Sequence, residues 1–384
     1  MSQDDLKPAI VKPSGPVEPS KIDTFALIKV IGVGGSGCSA INRMIQSKLR
    51  GVEFIAVNTD AQHLASSPAP TKIQIGKQLT KGLGSGGNPE VGRGSAEESG
   101  SDIESFLDGT DMVFITAGMG GGTGSGAAPY IAEVARKKGA LTVGVVTKPF
   151  SFEGARRMMN AEKSLEEMKD KVDALITIPN QRLLEIMDEG RPLIEAFKVA
   201  DSVLGQSVQG ISDIIVLPGL INRDFADVKS IMSNAGSALM GIGYGSGEDR
   251  AIKAAQEAIN SPLLENSIDG AKGILFNVVG GMDLTLSEVN KAAEVISAAA
   301  DPDANIIFGA AVNEESKDTI KITVIATGFD SPRMKDRTNI HARLRQQSPV
   351  SPTVMTPQSP VHMTEPDKKS DDDEYETPAF LRRR

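Results

Sequence analysis

Gly118-Met119-Gly120-Gly121-Gly122-Thr123-Gly124-Ser125-Gly126 lies between an apolar run, Met112–Thr116, and a helical stretch, Gly126–Lys138. Six glycines in nine positions stabilise neither helix nor strand. They offer conformational freedom and bare backbone N–H groups, the makings of an anion nest. Thr123 and Ser125 add hydroxyl donors. Upstream, Gly32-Val33-Gly34-Gly35-Ser36-Gly37 also sits between a strand and a helix, and it spells G-x-G-x-x-G. Asp60 follows 23 residues after Gly37, at the end of the second strand. That is close to a dinucleotide fingerprint, in which the glycines admit a pyrophosphate to the helix amino end and the acid takes the ribose. A tight turn with no ligand would use the same glycines. A dinucleotide fold needs one such loop; two suggest a run of phosphates gripped from both sides, for which a triphosphate is the natural candidate.

Outward from the loops, short apolar runs alternate with helical stretches. Phe25–Ile31, Val52–Val57, Met112–Thr116, Leu141–Val146 and Ala174–Ile178 read as buried strands; Ser39–Leu49, Gly126–Lys138 and Glu153–Lys169 read as helices. Near-continuous apolar strands with crossover helices predict an α/β fold, a parallel sheet covered on both faces. Pro192 suits the first turn of a longer helix reaching to about Ile211. Leu193, Phe197, Ala200, Leu204, Val208 and Ile211 form one apolar stripe along it. PGLINRDFADV (218–228) breaks that helix, and a second α/β block follows to Phe329. Its strands read 274–280, 305–310 and 320–327, and Thr285 to Glu288 matches a capping box at the head of a helix.

The expected organisation is a disordered N-terminal arm (1–23), a nucleotide domain (24–190), a central helix (191–211), a second α/β domain (212–330), a disordered linker (331–370) and a terminal peptide (371–384). The arm and linker are Pro-rich and polar, with little to bury. The last segment couples an acidic run, Asp371 to Glu374, to Pro378-Ala379-Phe380-Leu381-Arg382, apolar anchors beside a cationic cluster that suit a partner's groove.

Composition removes several classes. Aromatics are 4% of the 384 residues, Trp is absent and the net charge is −9, so no nucleic-acid partner is expected. One cysteine, Cys38, excludes an internal disulfide and a Cys-based zinc site. No apolar run is long enough to span a bilayer, and the opening residues lack a secretory core, so a soluble, cytoplasmic protein with no direct membrane insertion is expected. No G-x-x-x-x-G-K-[ST] occurs, which excludes a P-loop NTPase.

GGGTGSG (120–126) is the signature of the tubulin/FtsZ family. Together with IKVIGVGGSG (28–37), FIAVNTD (54–60), NPEVGR (88–93), FEGARR (152–157), NRDFADV (222–228) and PAFLRR (378–383), it makes the chain resemble the bacterial cell-division GTPases of that family over roughly 25–330 plus the terminal peptide. The resemblance implies a tubulin/FtsZ-like fold: a Rossmann-like parallel-sheet GTPase domain joined by a long central helix to a second α/β domain, with disordered termini. It implies GTP and GDP as ligands and Mg²⁺ held mainly by the phosphates. It also implies head-to-tail filaments of the chain itself, forming a division ring at mid-cell.

Residue roles follow from the same resemblance. Gly35, Ser36, Gly37, Gly122, Thr123 and Gly124 would wrap the phosphates, with Cys38 and Ser39 following on the first helix. The family commonly carries glycine and asparagine at those last two positions, so Ser39 loses an amide donor. Asn58 and Asp60 would stand near the γ-phosphate and Mg²⁺, which moves Asp60 away from the ribose role. Glu153 resembles the ribose ligand and Arg157 its neighbour; as residues alone they read as an i,i+4 ion pair, worth about 0.3–0.5 kcal/mol. Phe197 would stack on guanine, Asp201 would pair with it, and Asn180 would add a base contact. Phe197 alone also reads as core and Asp201 as a solvated position. Asn222, Asp224 and Asp227 would complete the active site of the next subunit, although aspartates at a helix start are equally good caps. The terminal peptide would bind membrane tethers of the FtsA or ZipA type. The competing readings are an NAD(P)-dependent oxidoreductase built on the first loop and a nucleotide-binding scaffold that does not assemble.

Overall fold

The apolar runs become strands of one ten-stranded sheet. The computed structural model describes residues 26–329 apart from 186, 188–191, 217–223, 265, 266, 314, 315 and 317. The N-terminal arm, the linker, the terminal peptide with Pro378–Arg382, and Asn222 therefore lie outside the described residues.

In chain order, β1 (Ile28–Val33) leads into α1 (Gly34–Gln46), β2 (Glu53–Asn58), α2 (Ala61–Ser66) and β3 (Thr71–Gln74). The helices α3 (Lys77–Thr80), α4 (Pro89–Glu98) and α5 (Gly100–Leu107) precede β4 (Met112–Gly118), α6 (Thr123–Lys137) and β5 (Leu141–Lys148). A 3₁₀ turn (Ser151–Glu153), α7 (Ala155–Lys169), β6 (Ala174–Pro179), α8 (Asn180–Glu185) and the long α9 (Leu193–Val216) follow. The rest is α10 (Phe225–Met232), β7 (Gly236–Ser246), α11 (Arg250–Ile259), β8 (Gly273–Gly280), α12 (Leu286–Ala299), β9 (Asn305–Val312) and β10 (Thr319–Thr327).

The strand order is β3-β2-β1-β4-β5-β6-β7-β10-β8-β9. The first six strands are parallel, and their order reverses between β1 and β4, the switch point where open α/β sheets bind ligands. β7 is the hinge of the sheet. Gly236 to Ala238 pair in parallel with β6, while Leu239 to Ser246 pair antiparallel with β10. β10 is antiparallel to β8, and β8 is parallel to β9.

Burial explains why the two halves of the sheet hold together. Leu204, Val208, Ile211 and Ile214 of α9 share one core with Ile28 and Val30 of β1 and with Leu275, Ile307 and Ile325 of the later strands. The opposite face of the first six strands packs on α4 to α7 through residues such as Ile115, Ile131 and Leu165. The central helix runs on to Val216 rather than ending near Ile211. Its expected stripe is buried at Ala200, Leu204, Val208 and Ile211, but Phe197 stays 41% exposed and is not core.

Two expectations need correction. The glycine loops do not sit wholly between elements: α1 starts at Gly34 and α6 at Thr123, so each loop supplies its helix's first turn. β3 and β7 are strands beyond those expected from the sequence.

Candidate functional site

α1 and α6 both begin at the sheet's switch point, directly after β1 and close behind β4. Neither has a side-chain cap: the residues before them, Val33 and Gly122, make no cap hydrogen bond. Their first-turn N–H groups therefore lack the usual side-chain acceptor, and two helix amino ends face one region. The loops touch. A Cβ on Gly34, whose φ is +73°, would come within 2.9 Å of the Gly124 nitrogen, so only glycine permits that approach.

In front of these ends lies a cavity of about 420 Å³. Gly35, Ser36 and Ser39 line it from α1, and Gly122, Thr123 and Gly124 from the second loop and α6. Glu153, Arg157, Asn180, Phe197 and Asp201 line its far side. The fold thus brings eleven of the fifteen expected ligand-binding residues to one cavity. Gly37, Cys38, Asn58 and Asp60 are not among its walls. Gly37 lets α1 lie against β4, since a Cβ there would meet the Thr116 carbonyl at 2.4 Å. The Cys38 thiol is fully buried, lies 3.5 Å and 3.6 Å from the Gly32 and Val57 carbonyls, and is pushed up to about 12, mainly by burial. It is neither exposed nor ready to form a thiolate. Asn58 accepts from the Asp60 N–H and contacts His63, while Asp60 caps α2 by accepting from Gln62 and His63.

The second loop is tied down by its own hydroxyls. Ser125 accepts from the Gly120 N–H at 2.8 Å and so shapes the loop. Thr123 bonds Thr59 at 2.7 Å and Ser85 at 3.0 Å. Ser85, Met119, Thr147 and Pro149 also line the cavity; Met119 belongs to the second glycine loop, while Thr147 and Pro149 carry no motif of their own. Ser85 had a signal: it belongs to Gly82-Leu83-Gly84-Ser85-Gly86-Gly87, a third glycine run ahead of NPEVGR, with positive φ at all four glycines.

Across the cavity, Glu153 and Arg157 form the expected ion pair, but not on one helix face. Glu153 closes the 3₁₀ turn, accepting from the Phe150 N–H at 3.0 Å, and Gly154, with φ +99°, separates it from α7. Phe197 presents its ring to the cavity and packs edge-on against buried Phe150 at 5.4 Å between centroids. Asn180 is buried, and its Oδ1 has no hydrogen-bond partner. Asp201 is also mostly buried, with Arg43 3.7 Å away. Burial pushes its carboxyl up to about 6, against the opposing pull of Arg43. Two under-satisfied acceptors beside an exposed ring call for a flat ligand bearing N–H donors.

Among the described residues Arg157 is the one cation on the cavity wall, and Glu153 already pairs with it. Among the described residues, no group of three His, Cys, Asp or Glu side chains could hold a metal. The site therefore fits a divalent ion only as one carried on the ligand's phosphates. Asp224 and Asp227 do not line the cavity; Asp224 caps α10, its Oδ1 3.4 Å from the Ala226 nitrogen. Among the described residues, no helix is long and apolar enough to cross a membrane.

Two helix amino ends at a sheet switch point, opposite an aromatic ring and buried acceptors, define a nucleotide-binding α/β protein. Residues 27–188 match the Tubulin/FtsZ family GTPase domain, and residues 236–330 match the FtsZ family C-terminal domain. An empty FtsZ dimer from M. jannaschii is 48% identical, with 80% of this chain and 89% of that one covered and a TM-score of 0.77. A tryptophan-to-tyrosine mutant of FtsZ from M. jannaschii, also 48% identical, covers 79% of this chain and 91% of its own at a TM-score of 0.77. CetZ2 from Haloferax volcanii, in a GTPγS-bound protofilament, is 20% identical over 84% of this chain and 100% of its own, with a TM-score of 0.68, and shares the fold alone. The chain belongs to the tubulin/FtsZ family and carries both the family's GTPase domain and the FtsZ C-terminal domain.

Proposed function

We propose that the chain hydrolyses GTP and polymerises head to tail, with each active site completed by the next subunit. The observation that carries this reading is a separation. Among the described residues the cavity has phosphate donors and base acceptors but no carboxylate placed to orient water: Glu153 is engaged with Arg157 and the Phe150 N–H, and Asp201 stands at the base end beside Arg43. Asp224 and Asp227 supply such carboxylates away from the cavity of their own chain.

The roles divide by position. N–H groups at the heads of α1 and α6 hold the phosphates and stabilise charge on the transferring phosphoryl group. Phe197 stacks on guanine, while Asp201 and Asn180 accept from its edge. Glu153 takes the ribose, beside Arg157. Asn58 and Asp60 stand behind the γ-phosphate end, and Gly37 and Cys38 act through the backbone of the first turn. Asn222, Asp224 and Asp227 of the adjoining copy position the attacking water. Mg²⁺ borne on the phosphates supplies charge neutralisation that Arg157, the one cation among the cavity's described wall residues and already paired with Glu153, does not.

A heterologous contact of this kind leaves filaments open at both ends. In the cell the filament is the division ring, concentrated at mid-cell, and the peptide at 378–382 binds FtsA- or ZipA-type tethers. The test is phosphate release from GTP with Mg²⁺ over a series of protein concentrations, with sedimentation alongside. Activity per molecule should rise where pelletable polymer appears. Asp227→Ala should lower turnover by roughly 10²-fold, as loss of a water-orienting group does, with GDP binding retained. Flat specific activity, or normal turnover by that variant, would overturn the shared site.

A further inference from the structure

Beside the main cavity lies a smaller hollow of about 280 Å³, and Ser39, Phe197 and Asp201 line both. Arg43 lines the hollow from α1, one turn after Ser39. Its Nε is buried without a hydrogen-bond partner and stands 3.7 Å from Asp201 Oδ2. The contact is too long for a hydrogen bond yet well within ion-pair range. We propose that Arg43 is the positioning residue of the base end, holding the Asp201 carboxylate in place as the acceptor that tells guanine from other bases. The inference rests on reading Asp201 as guanine's partner.

Charge and geometry agree on this role. Arg43 faces Asp201 from α1, Lys198 lines the same hollow from Asp201's own helix, and Glu153 and Arg157 stand across the main cavity. Of these, Arg43 is the group that opposes the effect of burial on the Asp201 carboxyl, which otherwise pushes it upward. Guanine presents N–H donors at positions 1 and 2. An ionised carboxylate accepts both, whereas a protonated carboxyl puts its own proton against one of them. Arg43 therefore acts on selectivity through Asp201, while the phosphate grip at α1 and α6 is independent of it.

The experiment is displacement of a fluorescent GDP analogue by GDP and by IDP, which lacks the 2-amino group, between pH 5.5 and 8. Wild type should favour GDP by about tenfold or more, the value of a hydrogen bond to a charged group. Its affinity should be level at neutral pH and fall below about pH 6, as Asp201 protonates. In Arg43→Met, the GDP-to-IDP ratio should fall to within about threefold of one, and the loss of affinity should begin at higher pH. Arg43→Lys keeps the charge and should keep the pH onset. Equal weakening of GDP and IDP with an unmoved onset in Arg43→Met, or an onset shifted upward in folded Arg43→Lys, overturns the proposal. Asp201→Asn separates the two levels. If it still discriminates GDP from IDP as wild type does, the guanine reading itself fails; if it loses discrimination while Arg43→Met keeps it, only the role of Arg43 fails.

Discussion

Asp201 spends part of the protein's stability when the cavity is empty. A carboxyl raised to about 6 in the folded chain, against 3.8 without burial, binds its proton more tightly folded than unfolded. Its contribution to stability therefore falls as pH rises from about 4 to about 6, and the full cost is present at pH 7. On the proposed reading of Asp201, N–H donors from a bound base would offset that cost. GDP should accordingly raise the melting temperature more at pH 7.5 than at pH 5.5, read by thermal unfolding; an equal rise at both would contradict the assignment. A second residue-scale prediction concerns Gly121, which lines the cavity and whose added Cβ meets no protein atom within 4 Å. Gly121→Ala should leave the unliganded melting temperature nearly unchanged and weaken GDP binding by about tenfold, as one obstructed hydrogen bond would. Most wall residues were legible before the fold was known, because the two glycine loops, 32–37 and 118–126, and FEGARR carry them. Thr147 and Pro149 were not, since a strand end leaves no pattern beyond its apolar run.

β7 marks where reading by element fell short. Gly241-Ile242-Gly243-Tyr244-Gly245 carries no clear strand signal, since glycine weakens strands. The alternate glycines are instead the floor on which α11 lies. A Cβ at Gly241, Gly243 or Gly245 would stand 1.9–2.0 Å from the Ala258, Ala254 or Arg250 carbonyl. That reason is tertiary and cannot be read locally. Gly243→Val should therefore cost about 3 kcal/mol, the upper end of ordinary overpacking, measured as a shift in the denaturation midpoint. A loss under about 0.5 kcal/mol would mean that α11 moves aside freely. The same logic explains the helix starts. α1 and α6 begin inside glycine runs because the first turn needs close approach, to β4 at Gly37 and to Gly34 at Gly124, more than it needs helix propensity.

At the scale of the whole molecule, one continuous sheet carries both halves, and α9 packs across them through a single core. The fold class was legible because apolar strands alternate with helices; the sheet's continuity was not, because it depends on three β7 residues, Gly236 to Ala238, pairing with β6. The nucleotide cavity sits at one point of this frame, and Asp224 and Asp227 stand outside it. The most direct test of a shared site is a mixture of Asp227→Ala, which keeps its pocket, with Asp201→Ala, which keeps its loop. Mixed in equal amounts with GTP and Mg²⁺, the two should form productive contacts at about a quarter of random head-to-tail junctions. Phosphate release should then exceed the sum of the separate variants. A mixture that co-sediments yet releases phosphate no faster than that sum would contradict the account.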